Sequence, residues 1–275
     1  MDIILEQYRT RLQSVKKVAP ATLMNFDKAA KKFQNHLDTL GKRATDLESW
    51  DLEEYLAGLD LADTTKQTHW IHIGGAYRYA HRKGQLQQDP TLSVFLAKPK
   101  KSGLKIIPNA ELRAMKGRII CDRQWLLWHL LTYTGMRLGE IRFLKWDAVD
   151  LSKEMVFLGQ TKNGEDRFVP VHPVLLDALI ELRGESEHYV ITTLKTRPVS
   201  YDTWIEDLRA FAPGYTAHWF RRTVSQSLTE NEVDPHVIKW ILGHEPQTVL
   251  GQYYSRASMR LMQRAILKLY ADDPI

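Results

Sequence analysis

The chain of 275 residues is poor in several features that would narrow its chemistry. It has one cysteine, Cys121. A single thiol excludes an intramolecular disulfide and any zinc site built from several thiolates. A small buried side chain is expected at that position. No apolar run approaches the roughly 18 residues that a membrane span needs. The opening residues, Met1-Asp2-Ile3-Ile4-Leu5-Glu6, lack the basic stretch and apolar core of a secretory signal. The sequence has no Gly-x-x-x-x-Gly-Lys-Ser/Thr phosphate loop, no Gly-x-Gly-x-x-Gly, no His-Glu-x-x-His and no Gly-x-Ser-x-Gly. Paired carboxylates at metal spacing are missing as well. Nucleotide hydrolysis, zinc proteolysis and nicotinamide chemistry thereby lose their usual supports.

What is present is ordinary in bulk. Hydrophobic residues make up 44% and charged residues 26%, the mix of a soluble globular protein. The length suits one large or two small domains, enough to bury a working core. Lys plus Arg number 38 against 33 Asp plus Glu, a net charge of +5. That balance is compatible with a nucleic-acid partner without demonstrating one.

The first hundred residues carry helical periodicity only. Ile4, Leu5, Tyr8, Leu12 and Val15 share one face. A second helix begins after Pro20 with Thr22 as its N-cap, and stops at Gly41. Further helices are expected over about 51–59 and 64–83, followed by a turn at Asp89-Pro90. Residues 98–107, with Lys98, Pro99, Lys100, Lys101 and Gly103, read as a basic linker between domains spanning 1–97 and 108–275.

The second half is mixed. Asn109 is a candidate cap, residues 125–132 should form a buried helix broken at Gly135, and 138–146 reads as helical again. Then the period changes. Met155–Phe157 and Arg167–Val171 are extended runs flanking Asn163-Gly164, a hairpin signal. Helices return over about 174–183, 203–211, 217–229, 235–242 and 259–270. The expected fold is mostly α with a small antiparallel sheet, in two domains.

Five contexts could carry chemistry. Arg137, in Thr134-Gly135-Met136-Arg137-Leu138-Gly139-Glu140, sits where a guanidinium and free backbone N–H groups can meet an anion, with Glu140 one turn on. A surface Arg–Glu pair is the plain alternative. Lys162 precedes the Asn163-Gly164 turn, as a solvated charge or a proton donor on a loop. His218 and Arg221, three apart on a helix, share a face suited to a phosphodiester; His218 could equally be a core histidine. His244 follows Gly243 as a cap or a ligand. Tyr253 and Tyr254 follow, as packing residues or as a nucleophile that would need a base and an anion pocket.

Taken in order, these motifs resemble the tyrosine recombinases, the phage-integrase type of site-specific recombinase. Thr-Gly-Met-Arg-Leu-Gly-Glu-Ile is similar to the family's first arginine motif. Thr161-Lys162-Asn163-Gly164 resembles its β-hairpin lysine, His218-x-x-Arg221 its His-x-x-Arg, and Leu242-Gly243-His244 with Tyr253 its Leu-Gly-His…Tyr signature. Spacing favours Tyr253 over Tyr254, and Glu245-Pro246 is a less usual continuation after His244. The helical first half is similar to the family's core-binding domain.

The resemblance implies a helical core-binding domain and an α+β catalytic domain acting on double-stranded DNA at core-type sites. It implies cleavage without metal or cofactor, through a 3′-phosphotyrosyl intermediate on Tyr253. Arg137, Arg221, His218 and His244 would serve the phosphate, Lys162 the leaving 5′-oxygen, and Glu140 would support the arginines. Lys98, Lys100 and Lys101 would meet the DNA backbone. It further implies a homotetramer on two DNA sites, integration or excision as the task, a possible accessory directionality factor, and the cytoplasm of a bacterium or phage host as location. A type IB topoisomerase and a non-catalytic DNA-binding regulator are the competing readings.

Overall fold

The structure, a computed structural model, describes residues 1–97, 103, 105–159, 166–183, 188–192, 197–243, 256–271 and 273–275. The chain divides into two compact units, Met1–Ser102 and Gly103–Ile275. Among the described residues the fold is mostly helical with one three-stranded antiparallel sheet, as the sequence leads one to expect. No helix there is long and apolar enough to cross a membrane.

The first unit is built from α1 (Ile3–Thr10), α2 (Pro20–Leu40), α3 (Ser49–Gly58) and α4 (Asp63–Arg82). Its apolar stripes meet in one core containing Leu5, Phe26, Phe33, Leu37, Leu52, Ile73 and Tyr77. The first stripe runs on past α1 as a wider π-helical turn, Arg11–Val15, which still buries Leu12. Pro20 opens α2 after Ala19, so Thr22 lies inside the helix and caps nothing. Gly75 lets α4 approach α1, because a Cβ there would sit 2.5 Å from the Tyr8 hydroxyl. Asp89 accepts from the Thr91 N–H at 2.9 Å and caps the short 3-10 turn Pro90–Ser93.

The second unit surrounds α6 (Asp122–Thr134), which is buried on every side from Leu126 to Thr134. Before it comes α5 (Asn109–Lys116), capped by Pro108; the Asn109 side chain instead donates to the Asp273 carbonyl at 2.9 Å. Cys121 is exposed, contrary to expectation. It stands in extended backbone just ahead of α6, outside the buried stretch. The predicted helix over 138–146 shortens to α7 (Leu138–Arg142) and a 3-10 turn, Trp146–Ala148.

Strands β1 (Val149–Asp150), β2 (Met155–Leu158) and β3 (Arg167–Pro170) follow, with Val156 opposite Val169 and Leu158 opposite Arg167. The remaining helices are α8 (Pro173–Glu181), α9 (Tyr201–Phe211), α10 (Ala217–Glu230), α11 (Pro235–Leu242) and α12 (Arg256–Ile266). Met262, Ala265 and Ile266 of α12, with Leu269 and Tyr270 after it, belong to this unit's core.

Candidate active site

The C-terminal ends of α6 and α11, helices α7 and α10, and strand β3 build the site; α10 carries His218 and Arg221. Helix α6 stops at Gly135, whose φ of +62° no β-carbon tolerates easily, and whose Cβ would stand 2.8 Å from Leu242 Cδ2. The chain then turns so that Arg137 takes the N-cap position of α7. Helix α11 ends the same way, with Gly243 at φ +64°. The carbonyl ends of both helices, where their dipoles are negative, point at arginines. Arg221 donates to the Gly135 carbonyl at 2.8 Å and to the Leu242 carbonyl, and Arg137 donates to the Gly243 carbonyl at 3.1 Å.

Glu140 completes the arrangement. Its Oε2 accepts the Arg137 backbone N–H at 2.7 Å and its Oε1 accepts Arg137 Nη1 at 2.8 Å. Arg167 approaches the same carboxylate from β3 and donates to both oxygens, each at 2.8 Å. Burial on its own would raise the Glu140 pKa. Hydrogen bonds and charge from Arg167, then from Arg137, outweigh it and bring the carboxyl to about 2. Arg221 is buried, and desolvation, then repulsion from Arg137 and Arg167, lowers its pKa to about 9; it stays charged at neutral pH.

Arg137, His218 and Arg221 line one cavity of about 400 Å³, shared with Tyr201, Arg209 and Tyr215. His218 is exposed at its rim and is not a core histidine. Partial burial, then the charges of Arg222, Arg221 and Arg137, lower its pKa below the usual 6.5, so the imidazole is neutral at pH 7. Three guanidiniums against one carboxylate leave a net positive centre with a neutral imidazole at its edge. Such a centre can bind an anion and take up a proton beside it.

Of the residues singled out from sequence, Arg137, Glu140, His218 and Arg221 come together here. Lys162, His244, Tyr253, Lys98, Lys100 and Lys101 lie outside the described residues. Sequence reasoning missed Arg167. Its signal was the alternation of β3, where Arg167 shares the inward face with Val169; a charge on that face requires a buried counter-charge.

The model of the phage integrase family matches residues 112–260. A tyrosine recombinase, XerC, of Lactobacillus delbrueckii subsp. bulgaricus is 26% identical over 93% of this chain and 94% of its own length. Among solved structures, a lambda integrase (75–356) dimer bound to a COC′ core site superposes with a TM-score of 0.75. It is 19% identical, and the match covers 90% of this chain and 97% of that one. A lambda integrase tetramer bound to a Holliday junction gives a TM-score of 0.72 at 19% identity, covering 89% and 77%. These structural likenesses concern the fold.

Proposed function

The chain belongs to the phage integrase family, the tyrosine recombinases that cleave and rejoin DNA at specific sites, and we propose that it does so through Tyr253 and the arginine centre described above. Tyr253 attacks the scissile phosphate and forms a 3′-phosphotyrosyl bond, releasing a 5′-hydroxyl. Arg137 and Arg221 hold the non-bridging oxygens, whose charge shifts in the transition state. His218 accepts the tyrosine proton, His244 donates a hydrogen bond to a phosphate oxygen, and Lys162 protonates the departing 5′-oxygen. The 5′-hydroxyl of a partner strand then reverses the attack. The phosphotyrosyl bond conserves the energy of the broken one, so the cycle needs no cofactor.

One observation supports the reading above the others: Arg137, His218 and Arg221, from separate stretches of sequence, line the same cavity with a neutral imidazole beside two cations. The cavity is of a size to admit a phosphodiester. The unit from Gly103 onward is read as catalytic and the unit before it as the core-type DNA-binding domain, joined by the basic linker 98–107 with Lys98, Lys100 and Lys101 on the DNA backbone. By likeness to the integrase tetramer, four copies act on two core-type sites. Integration or excision is the task, with an accessory factor setting direction, in the cytoplasm of a bacterium or phage host.

The test is a suicide substrate nicked beside a candidate site. The wild-type chain should form a denaturation-resistant adduct mapping to Tyr253. The Tyr253→Phe variant should bind the same DNA within about threefold yet form none. An adduct that persists in that variant would refute the assignment. A two-site recombination assay run beside plasmid relaxation separates this reading from topoisomerase activity: relaxation by monomers without strand exchange would count against it.

A further inference from the structure

Glu140 has no acceptor capacity to spare. Its two oxygens take four donors: the Arg137 backbone N–H, Arg137 Nη1, and both terminal nitrogens of Arg167. The Arg167–Glu140 contact is a two-pronged pair between planar groups, the geometry in which guanidinium and carboxylate fix each other's orientation. Arg137 touches the carboxylate through Nη1 alone, and its Nη2 is held by the Gly243 carbonyl at 3.1 Å. Its remaining N–H groups are thus kept for another anion.

Arg167 is itself tightly placed. It is 4% exposed and stands on β3 opposite Leu158. Its aliphatic stem fills the space a side chain would need at Gly243, where a Cβ would lie 2.7 Å from Arg167 Cδ. Arg167 therefore ties three things together: strand β3, the glycine corner at the end of α11, and the carboxylate that holds Arg137.

Removing the guanidinium has two physical consequences. Glu140 becomes free to rotate and take Arg137 in a two-pronged pair, withdrawing that guanidinium from the cavity. The described charge of the centre also falls, from three arginines against one glutamate to two against one. Both changes bear on the non-bridging oxygens of a bound phosphate. Neither changes the leaving group.

We propose that Arg167 is a positioning residue for DNA cleavage, which by occupying Glu140 keeps Arg137 aimed at the scissile phosphate and its charge available there. This rests on the reading of Arg137 as a phosphate-binding residue.

The experiment is single-turnover cleavage by wild-type, Arg167→Met, Arg167→Lys and Arg137→Ala proteins on three substrates. One carries an ordinary scissile phosphodiester. The second has a neutral methylphosphonate there, which reduces the demand for positive charge. The third has a 5′-bridging sulfur, whose better leaving group relieves the demand for an acid. On the ordinary substrate Arg167→Met should slow adduct formation about 10²-fold, with DNA affinity within about threefold of wild type. Arg167→Lys keeps the charge but loses the fork, and should fall in between.

The decisive reading is the pattern across substrates. The Arg167→Met deficit should shrink at least about tenfold on the methylphosphonate, in parallel with Arg137→Ala, and persist on the sulfur substrate. An equal deficit on all three would make Arg167 a merely structural residue and overturn the inference. A deficit rescued only by sulfur would place its action on the protonation of the leaving group and overturn it too. If Arg167→Met does not fold, the Glu140→Gln/Arg167→Met double variant leaves no buried carboxylate unpaired and is read against the same three substrates. It should cleave the ordinary substrate faster than Arg137→Ala, since Arg137 is then not neutralised, with any remaining deficit from wild type shrinking on the methylphosphonate. A rate no higher than that of Arg137→Ala, or a deficit equal on all three substrates, overturns the proposal. Failure of the underlying reading looks different: the wild-type protein forms no adduct at Tyr253, or Arg137→Ala cleaves normally.

Discussion

His218 stands at the cavity mouth among positive charges, and that placement fixes the sign of its response to pH. Partial burial and the nearby arginines lower its pKa below 6.5. The neutral form that can accept a proton therefore persists through mild acidification. Single-turnover cleavage should stay level at and above neutrality, then decline on acidification through that lowered pKa. His218→Gln should remove this acid limb and lower the plateau about 10²-fold, as read from adduct formation across a pH series. An unaltered acid limb in the variant would assign it to another group. The residues around the cavity were legible because Arg137 follows a glycine break and His218 and Arg221 are one helical turn apart. Arg167 was not read, although its alternation with Val169 places it inward. A lone charge in a short strand is easily taken as an edge residue, and its carboxylate partner is far away in sequence. Cys121 shows the reverse error: its chemistry favours burial, but a position ahead of a helix start exposes it.

Elements with long apolar periodicity were readable, and their ends were less so. Helices α2, α4 and α10 follow stripes that continue over several turns, and a stripe that long specifies both helix and face. The segment after Arg137 has the same composition as a longer helix, yet α7 ends at Arg142. Leu144 accepts from Val190 and Trp146 donates to His188, so pairing with a distant segment takes over the backbone. Strand β1 has two residues and carries no pattern to read. The glycine ends of α6 and α11 were visible as punctuation, and their tight surroundings were not. Gly135→Ala puts a Cβ 2.8 Å from Leu242 and 3.3 Å from Val224 at positive φ. It should cost about 1–3 kcal/mol in urea unfolding. Gly139→Ala is the control within α7: it has open space around it and should be neutral or stabilising by up to about 1 kcal/mol.

At the scale of the whole molecule, both units carry a buried histidine whose protonation opposes folding. His69 bonds the Tyr55 hydroxyl at 2.5 Å in the first unit. Burial, then the charges of Lys32 and His72, lowers its pKa to about 4. In the second unit His129 is lowered to about 4 by burial, partly offset by its bond to the Trp125 carbonyl and helped by Lys116. The unfolded chain takes up these protons near pH 6.5, the folded chain only near 4, so stability is lost progressively across that window as pH falls. Melting temperature followed by circular dichroism should drop between those limits. Replacing both imidazoles by Gln should flatten the slope, whatever it does to the neutral value. Binding to a core-type site should weaken about 10³-fold or more between ~50 and ~200 mM salt if many phosphates are contacted. A flat response would remove the case for an extended backbone interface. The holders of Arg221 have a genetic consequence. Its acceptors among the described residues are the main-chain oxygens of Gly135 and Leu242. No codon change deletes a peptide carbonyl, so inactive alleles at this grip should map to the path of the chain, at the two glycines, or to the arginine itself, and a compensating second-site partner should be hard to find.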